Sequence, residues 1–177
     1  MRTKAETVEK IFPSFILKYF DPKIITQVEN NELENDLKYL GLYRQRQKGL
    51  KLIAEKIQYV YGGQVPSDIT SLASLPHVGP YISNAVLFFG LGQKRPIVDS
   101  NIARVLVRFN GLHMPRDLRE NWIWELAEKI LPNENWQEYN FGLIDIGATI
   151  CKNRTPRCSV CCLKSKCKYK KMGEFHN

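Results

Sequence analysis

The chain has 177 residues, enough for one domain or for two small ones. Its 26 Lys and Arg residues against 18 Asp and Glu give a formal charge of +8, which favours a polyanionic partner such as nucleic acid, although a basic protein without such a partner has the same balance. No apolar run approaches the ~20 residues of a transmembrane helix, and the first residues lack a signal-peptide pattern, so we expect no membrane span and a cytosolic protein, or a nuclear one in a eukaryote.

Apolar residues recur with helical periodicity along most of the chain, and no sustained alternation indicates a sheet. Gly and Pro occupy the breaks between the periodic segments, as is typical of helix ends. We therefore predict an all-α protein with helices at about 4–19, 22–28, 31–38, 44–61, 68–73, 80–90, 99–109, 116–130 and 136–150. The periodicity stops at Cys151, and a lysine-rich loop that contains all five cysteines follows.

A turn with the sequence LPHVGPY, residues 75–81, lies between two of the predicted helices. Gly79 allows a backbone conformation closed to other residues, so that consecutive amide groups can point outward at the start of the next helix and bind a phosphate. An ordinary connection between two helices is the other interpretation of this turn.

Asp99 follows a short apolar stretch and directly precedes a predicted helix. This position is typical of an N-cap. It also suits catalysis, because a carboxylate at a helix N-terminus stays ionised, and an ionised carboxylate stabilises a positively charged sugar or orients an attacking water. The two roles are compatible.

The cysteines follow the pattern C-x6-C-x2-C-x5-C through Cys151, Cys158, Cys161 and Cys167, with Cys162 as an additional thiol. A cluster this local in a chain without a secretion signal indicates a metal site rather than disulfides. Four thiolates can hold either a zinc ion or a [4Fe-4S] cluster, although zinc ribbons usually contain two CxxC pairs and this loop contains one. The many lysines and arginines of the loop suit DNA phosphates.

Taken together, the hairpin LPHVGPY, the aspartate in PIVDSNIARVL, the stretch FGLIDIGATIC and the cysteine loop resemble the endonuclease III superfamily of DNA glycosylases, in that family's order and spacing. The resemblance implies a helix-hairpin-helix DNA glycosylase fold. A six-helix barrel domain would occupy 15–115, with the hairpin motif at about 68–90, and a cluster domain would comprise 1–14 and 116–177. The target base would be flipped out of double-stranded DNA into the cleft between these domains.

The resemblance also assigns site residues. Asp99 and Tyr81 occupy the catalytic positions, and Cys151, Cys158, Cys161 and Cys167 match the four ligands of a [4Fe-4S] cluster, which favours this cofactor over zinc. Cys162 stands where the family often has proline and is left out of the site. The implied DNA-binding residues are Leu42, which falls where the family inserts an apolar wedge into DNA, together with His77, Val78, Gly79 and Ser83 of the hairpin motif. The alternative for Leu42 is an ordinary surface leucine.

Position 81 separates the subfamilies. Members that also cut the strand carry a lysine there, because an amine attacks the sugar C1′ and forms a Schiff base. Tyr81 cannot do so, and it resembles the tyrosine of the thymine mismatch glycosylases, although a tyrosine can also simply fill a core gap. We therefore predict a monomeric base excision repair enzyme that releases thymine or uracil opposite guanine without cutting the strand. The alternatives are an adenine mismatch or oxidised-pyrimidine glycosylase of the same superfamily, and a non-catalytic DNA-binding iron–sulfur protein.

The start of the chain departs from the family pattern. Family members have two further helices before the segment that matches residues 2–6, and those helices form part of the barrel. The chain is thus either truncated or naturally shorter, and a truncated form would bind DNA without turnover. We expect the apolar faces of the helices at 99–109 and 136–150 to be exposed as a result.

Overall fold

The computed structural model describes residues 5–174, and within this range the chain contains no β-strand, which confirms the predicted all-α class. The helices are α1 (Ala5–Lys18), α2 (Pro22–Gln27), α3 (Asn30–Leu37), α4 (Tyr43–Val60), α5 (Ile69–Ala73), α6 (Pro80–Ala85), α7 (Ser100–Asn110), α8 (Asn121–Ile130), α9 (Trp136–Asp145) and α10 (Lys168–Glu174). Two π-helical turns, Val86–Gly90 and Ile146–Ile150, continue α6 and α9, and a 3-10 turn spans Cys158–Val160. None of the described helices is both long and apolar enough to cross a bilayer.

Two details of the predicted helices were wrong. The helix predicted from 116 begins at Asn121, because the preceding residues form a hydrogen-bonded turn: the Asp117 N–H donates to Glu120 Oε1 at 2.9 Å, and Asp117 Oδ1 accepts from the Arg119 N–H at 2.8 Å. In addition, α10 follows the cysteine loop, where the sequence predicts no helix. Its seven residues are too few for a clear apolar period.

The chain forms two compact units, Met1–Val78 and Gly79–Asn177. In the first unit, Tyr19, Leu33 and Leu37 form a buried cluster. Lys18 Nζ and the Tyr19 hydroxyl both donate to Asp36 Oδ2 at 2.6 Å, which joins α1 to α3. Burial, reinforced by the bond to Asp36, raises the pKa of Tyr19 to about 12.

The second unit has its core around α7. The apolar residues of this helix are buried against the segment at 97–98, α8 and α9, so the expected exposure of the apolar face at 99–109 was wrong. The face of α9 differs, since Phe141 is 47% exposed and its ring lies 6.3 Å from that of Phe89, which is 57% exposed. Phe141 is thus exposed, but Leu143 of the same helix is buried in the core, so only part of the exposure expected at 136–150 is seen.

Candidate active site

Asp99 caps α7 and keeps its carboxylate half-buried at the start of that helix. Its Oδ1 atom accepts hydrogen bonds from the backbone N–H groups of Asn101 and Ile102, both at 2.8 Å. Its Oδ2 atom accepts from Asn101 Nδ2 at 3.0 Å. A carboxylate has about four acceptor sites, so these three bonds leave acceptor capacity on Oδ2. The N-cap role is thus observed, and it leaves one edge of the carboxylate available for chemistry.

A chain of hydrogen bonds runs from Asp99 toward the cysteine loop. Asn101, which donates to Asp99, accepts at its Oδ1 from Arg104 Nη2 at 3.1 Å. Arg104 in turn donates from Nη2 to the Gly147 carbonyl at 2.8 Å and from Nε to the Cys151 carbonyl at 2.7 Å. The guanidinium group of Arg104 therefore joins α7 to the end of the π-helical turn that precedes the first cysteine.

This π-helical turn approaches α7 closely at Gly147. A Cβ atom at Gly147 would lie 2.9 Å from the Cβ of Asn101 and 3.1 Å from its backbone, closer than side-chain atoms pack. Only glycine lets the turn come this near to the residue that holds Asp99.

The segment that leads into Asp99 is held by α9. Asn140 is 1% exposed, and its Oδ1 accepts from the Ile97 N–H at 3.0 Å. Its Nδ2 donates to the carbonyls of Arg95 and Trp136, at 3.1 and 3.0 Å. The side-chain amide thus makes three hydrogen bonds to backbone groups, two of which belong to the segment before Asp99.

The hairpin between α5 and α6 differs from the prediction in one respect. Gly79 has an extended backbone (φ −94°, ψ −178°) that other residues also adopt, so the expectation that it takes a conformation reserved for glycine was wrong. The left-handed residue is His77, with φ 61°. Its exposed ring packs on Gly49 of α4, where a Cβ would lie 3.2 Å from His77 Cδ2. A Cβ added at Gly79 meets nothing within 4 Å, so its backbone is open on that side.

The other candidate residues of the hairpin motif differ in how far they are exposed. Tyr81, the second residue of α6, is 45% exposed, so it does not fill a core gap. The Val78 N–H is used locally, in a 3.2 Å bond to the Leu75 carbonyl. Ser83 is fully buried, and its hydroxyl donates to the Gly79 carbonyl at 3.2 Å. Its side chain therefore supports the hairpin from within and does not face solvent.

Leu42 immediately precedes α4 in the left-handed conformation, with φ 59°, and is 59% exposed. Leucine rarely adopts this backbone conformation, which costs about 1–2 kcal/mol for a residue with a Cβ. The turn is fixed by Arg46, whose Nε donates to the Gly41 carbonyl at 2.8 Å and whose N–H donates to the Leu42 carbonyl at 3.0 Å. An apolar side chain thus projects from a rigid, strained turn.

Four of the five cysteines line one small pocket in the second unit: Cys151, Cys158, Cys161 and Cys167. Each of them is half-buried, whereas Cys162 is exposed and does not line the pocket. Burial raises the pKa of the Cys161 thiol, and the neighbouring thiols raise it further. The structure thereby separates from Cys162 the same four cysteines that the family resemblance assigns to the cluster.

Arg108 of α7 forms one wall of this pocket. Its Nη1 atom lies 3.5 Å from Cys151 Sγ and donates to the Lys152 carbonyl at 2.8 Å, and its Nη2 donates to the Asn153 carbonyl at 2.8 Å. Its guanidinium carbon lies 4.7 Å from the centre of the Tyr169 ring.

Among residues 5–174, no three His, Cys, Asp or Glu side chains converge closely enough to hold a single metal ion.

The surface of the cysteine loop is strongly basic. Its exposed cationic residues are Lys152, Arg154, Arg157, Lys164, Lys166, Lys168 and Lys171. Lys164 is held locally, since its Nζ donates to the Ser159 carbonyl at 2.8 Å. A face of this charge attracts a polyanion.

Sequence reasoning missed Asn101, Arg104 and Asn140 as parts of the site. Asn101 and Arg104 could have been predicted. They are three residues apart on the helix that follows Asp99, and side chains at this spacing are neighbours on a helix surface. Asn140 is separated from Ile97 by 43 residues in the chain, and α9 contains other polar residues, so nothing in the sequence singled Asn140 out.

Comparison with known proteins places these features in a family. A family model described as the HhH-GPD superfamily of base excision DNA repair proteins matches residues 1–129. A thymine/uracil-DNA glycosylase of Methanothermobacter thermautotrophicus is 36% identical over 169 residues, which cover 95% of this chain and 76% of the relative. An endonuclease III of Thermotoga maritima is 29% identical over 176 residues, covering 98% of this chain and 80% of the relative.

Solved structures agree with the sequence relatives. The structure of a thermostable thymine-DNA glycosylase matches with a TM-score of 0.89 at 35% identity, covering 97% of this chain and 79% of that chain. A trapped endonuclease III–DNA covalent intermediate matches with a TM-score of 0.83 at 28% identity, covering 97% of this chain and 80% of that chain. The predicted helix-hairpin-helix glycosylase fold is confirmed, and the chain belongs to the HhH-GPD superfamily of base excision DNA repair proteins.

Proposed function

We propose that this protein is a monofunctional DNA glycosylase that hydrolyses the N-glycosidic bond of thymine or uracil paired with guanine and leaves an abasic site. The observation that carries the proposal is the Asp99 carboxylate, which is fixed at the start of α7 by three hydrogen bonds and retains acceptor capacity on Oδ2. The names of the thymine/uracil-DNA glycosylase relatives support the choice of base.

The proposed chemistry uses the charge and the free edge of this carboxylate. As the bond between C1′ and the base breaks, positive charge develops on the deoxyribose, and the Asp99 carboxylate stabilises it. The electron pair of the broken bond leaves with the base. The oxygen of a water molecule, oriented by Oδ2, then bonds to C1′, and the proton that this water loses ends on the departing base, which leaves as a neutral molecule. The products are the free base and an abasic sugar.

Tyr81 supports a reaction that ends at this point. Strand cleavage through a Schiff base needs an amine at the sugar, and a phenol cannot supply one. The half-exposed ring of Tyr81 instead offers an apolar face for packing against a flipped nucleotide.

DNA binding is assigned to the hairpin, to Leu42 and to the basic loop. The open backbone at Gly79 gives a phosphate room to approach the amide groups at the start of α6, with His77 and Val78 forming the preceding turn. The projecting Leu42 side chain suits insertion into the space left by a flipped base. Ser83 is retained only as an internal support of the hairpin, because its side chain is buried.

The four pocket cysteines fit a [4Fe-4S] cluster. All four line one pocket, but no three of them converge closely enough for a single zinc ion, whose Zn–S bonds of about 2.3 Å would place the sulfur atoms about 3.8 Å apart. Cys151, Cys158, Cys161 and Cys167 would hold the cluster, and Arg108 would lie against the Cys151 sulfur. A bound cluster would tie the basic loop into one rigid surface. We propose that 15–115 form the barrel domain and that 1–14 and 116–177 form the cluster domain, bounds that differ from those of the two compact units. We also propose that the protein binds a mismatched duplex as a monomer.

A panel of duplexes tests the proposal. Each duplex carries a single T:G, U:G, A:8-oxoguanine or thymine glycol pair, and strand breaks are measured with and without alkali after incubation with the purified protein. We expect breaks only after alkali and only for T:G and U:G. Breaks without alkali would indicate a lyase, and release of another base would reassign the substrate. Binding without release of any base would indicate a non-catalytic protein.

A further inference from the structure

The placement of Asp99 depends on two pieces of backbone that meet at this residue. On one side, α7 fixes the Asp99 Oδ1 atom through the first backbone N–H groups of the helix. On the other side lies the segment 92–98, which has no regular secondary structure and no neighbouring strand to hold it. The position of the carboxylate is therefore only as well defined as the position of this segment.

Asn140 supplies the hydrogen bonds that a neighbouring strand would otherwise give. Its side-chain amide accepts from the Ile97 N–H and donates to the Arg95 carbonyl. It therefore satisfies one backbone donor and one backbone acceptor of the segment. Its third bond, to the Trp136 carbonyl, anchors the same amide to α9. On the opposite side, Ile97 and Val98 are 2% and 0% exposed within the apolar core. The segment is thus held by polar bonds and by apolar packing together.

A buried amide in this place has a specific effect that apolar packing lacks. Apolar packing is non-directional, so it keeps a segment buried without defining its orientation. Two hydrogen bonds to defined backbone atoms fix both the position and the orientation of the segment. A leucine of the same size would leave the Ile97 N–H and the Arg95 carbonyl without partners in the interior. Two of the three hydrogen bonds that the Asn140 amide makes are therefore specific to this segment.

We propose that Asn140 is a positioning residue for catalysis, which sets the place and direction of the Asp99 carboxylate by fixing the backbone two residues before it. This inference rests on the proposed role of Asp99 in base release. Displacing a reacting group by about 1 Å costs on the order of 10²-fold in rate, so a small shift of this segment is enough to lower activity strongly.

The test compares Asn140→Leu with Asn110→Leu as the matched control. Asn110 is a half-buried asparagine whose Nδ2 donates to the Leu106 carbonyl at 2.9 Å, and it lies at the end of α7 opposite to Asp99. Base release from a T:G duplex is followed with enzyme in excess. The rate constant then reports the placement of Asp99, far-UV circular dichroism reports the fraction of folded enzyme, and binding to an abasic duplex reports DNA affinity.

We expect Asn140→Leu to lower the rate constant by at least about tenfold with affinity for abasic DNA within about twofold, while Asn110→Leu changes neither. A lower folded fraction with an unchanged rate constant would overturn the proposal, because it would mean that Asn140 only supports folding. Asn140→Ser, which is smaller and polar, is measured in the same way in case the leucine variant does not fold. Failure of both variants to fold would also overturn a specific positioning role.

Amide hydrogen exchange of the peptide 95–102 gives a readout independent of activity. Faster exchange of this peptide in Asn140→Leu but not in Asn110→Leu is the expected result, and unchanged exchange would overturn the inference. If the wild-type protein releases no base, the proposed function fails, while the exchange result still decides whether Asn140 fixes the segment before Asp99.

Discussion

Replacing Asp99 by asparagine and by alanine separates its two roles, as helix cap and as catalytic carboxylate. Asparagine caps a helix as well as aspartate does, since its Oδ1 can accept from the same N–H groups of Asn101 and Ile102. We expect it to change the free energy of unfolding by less than about 1 kcal/mol, mainly through the lost charge at the helix N-terminus. Alanine removes the cap and should cost about 1–2 kcal/mol.

Activity should respond differently, because both substitutions remove the negative charge. At about 4 Å from the charged sugar, and with an effective dielectric constant of about 20, a full charge is worth about 4 kcal/mol. Each 1.36 kcal/mol corresponds to about tenfold in rate, so both variants should lose about 10³-fold in the rate of base release.

Two measurements on the same preparations check this reasoning. Urea unfolding gives the stability of wild type and variants, and base release from a T:G duplex with enzyme in excess gives the rate. The Asp99→Asn variant should be stable and inactive. Activity within about tenfold of wild type would refute the catalytic role. Loss of folding in Asp99→Asn would instead show that the charge itself holds the site together.

Three further predictions concern the cysteine pocket, the close helix contact and the buried tyrosine. Cys151→Ser should lose bound iron and acid-labile sulfide while Cys162→Ser keeps both, because Cys151 lines the pocket and Cys162 does not. Chemical analysis of the purified variants measures both. Gly147→Ala should destabilise the fold by about 1–3 kcal/mol and slow base release, because its Cβ would lie 2.9 Å from that of Asn101; urea unfolding and the rate assay check it. The raised pKa of Tyr19, about 12 against 10.0, contributes stability that is present below pH 10 and is lost as the pH rises to about 12, at most about 2.7 kcal/mol. Urea unfolding on either side of pH 10 should show this loss in wild type but not in Tyr19→Phe.

Each of these predictions has a contrary result. Equal iron in the two cysteine variants would remove Cys151 from the ligand set. Wild-type stability and rate in Gly147→Ala would mean that the turn moves away from α7 without consequence. A parallel pH dependence in wild type and Tyr19→Phe would assign the alkaline loss of stability to other groups.

The sequence was sufficient for features that depend on local patterns. Helical periodicity predicted the all-α class, and the position of Asp99 before an apolar helix predicted its N-cap. The resemblance to the family left Cys162 out of the site, and the structure places it outside the pocket that the other four cysteines line. In each case the residues that interact are close in the chain or share a helical period, so the pattern contains the structural information.

Features that depend on distant pairing were missed. Nothing in the neighbourhood of Asn140 indicates that its partners are Arg95 and Ile97, because the choice is made by the packing of α9. The hairpin was missed for another reason. Glycine is the usual residue at a positive φ, which drew the prediction to Gly79, whereas packing of the His77 ring on Gly49 holds the histidine in that conformation.

The π-helical turn Ile146–Ile150 bears on how the length of this chain can vary. Its characteristic bond, from the Cys151 N–H to the Ile146 carbonyl at 2.7 Å, spans five residues where an α-helical bond spans four. The turn therefore contains one residue more than the corresponding α-helical turn. A related chain one residue shorter here could close into a regular α-helix and still present its first cysteine at the end of the same helix. Elsewhere on α9, a deletion would rotate Asn140 away from its partners by about 100°, so length variation among relatives should gather at this turn.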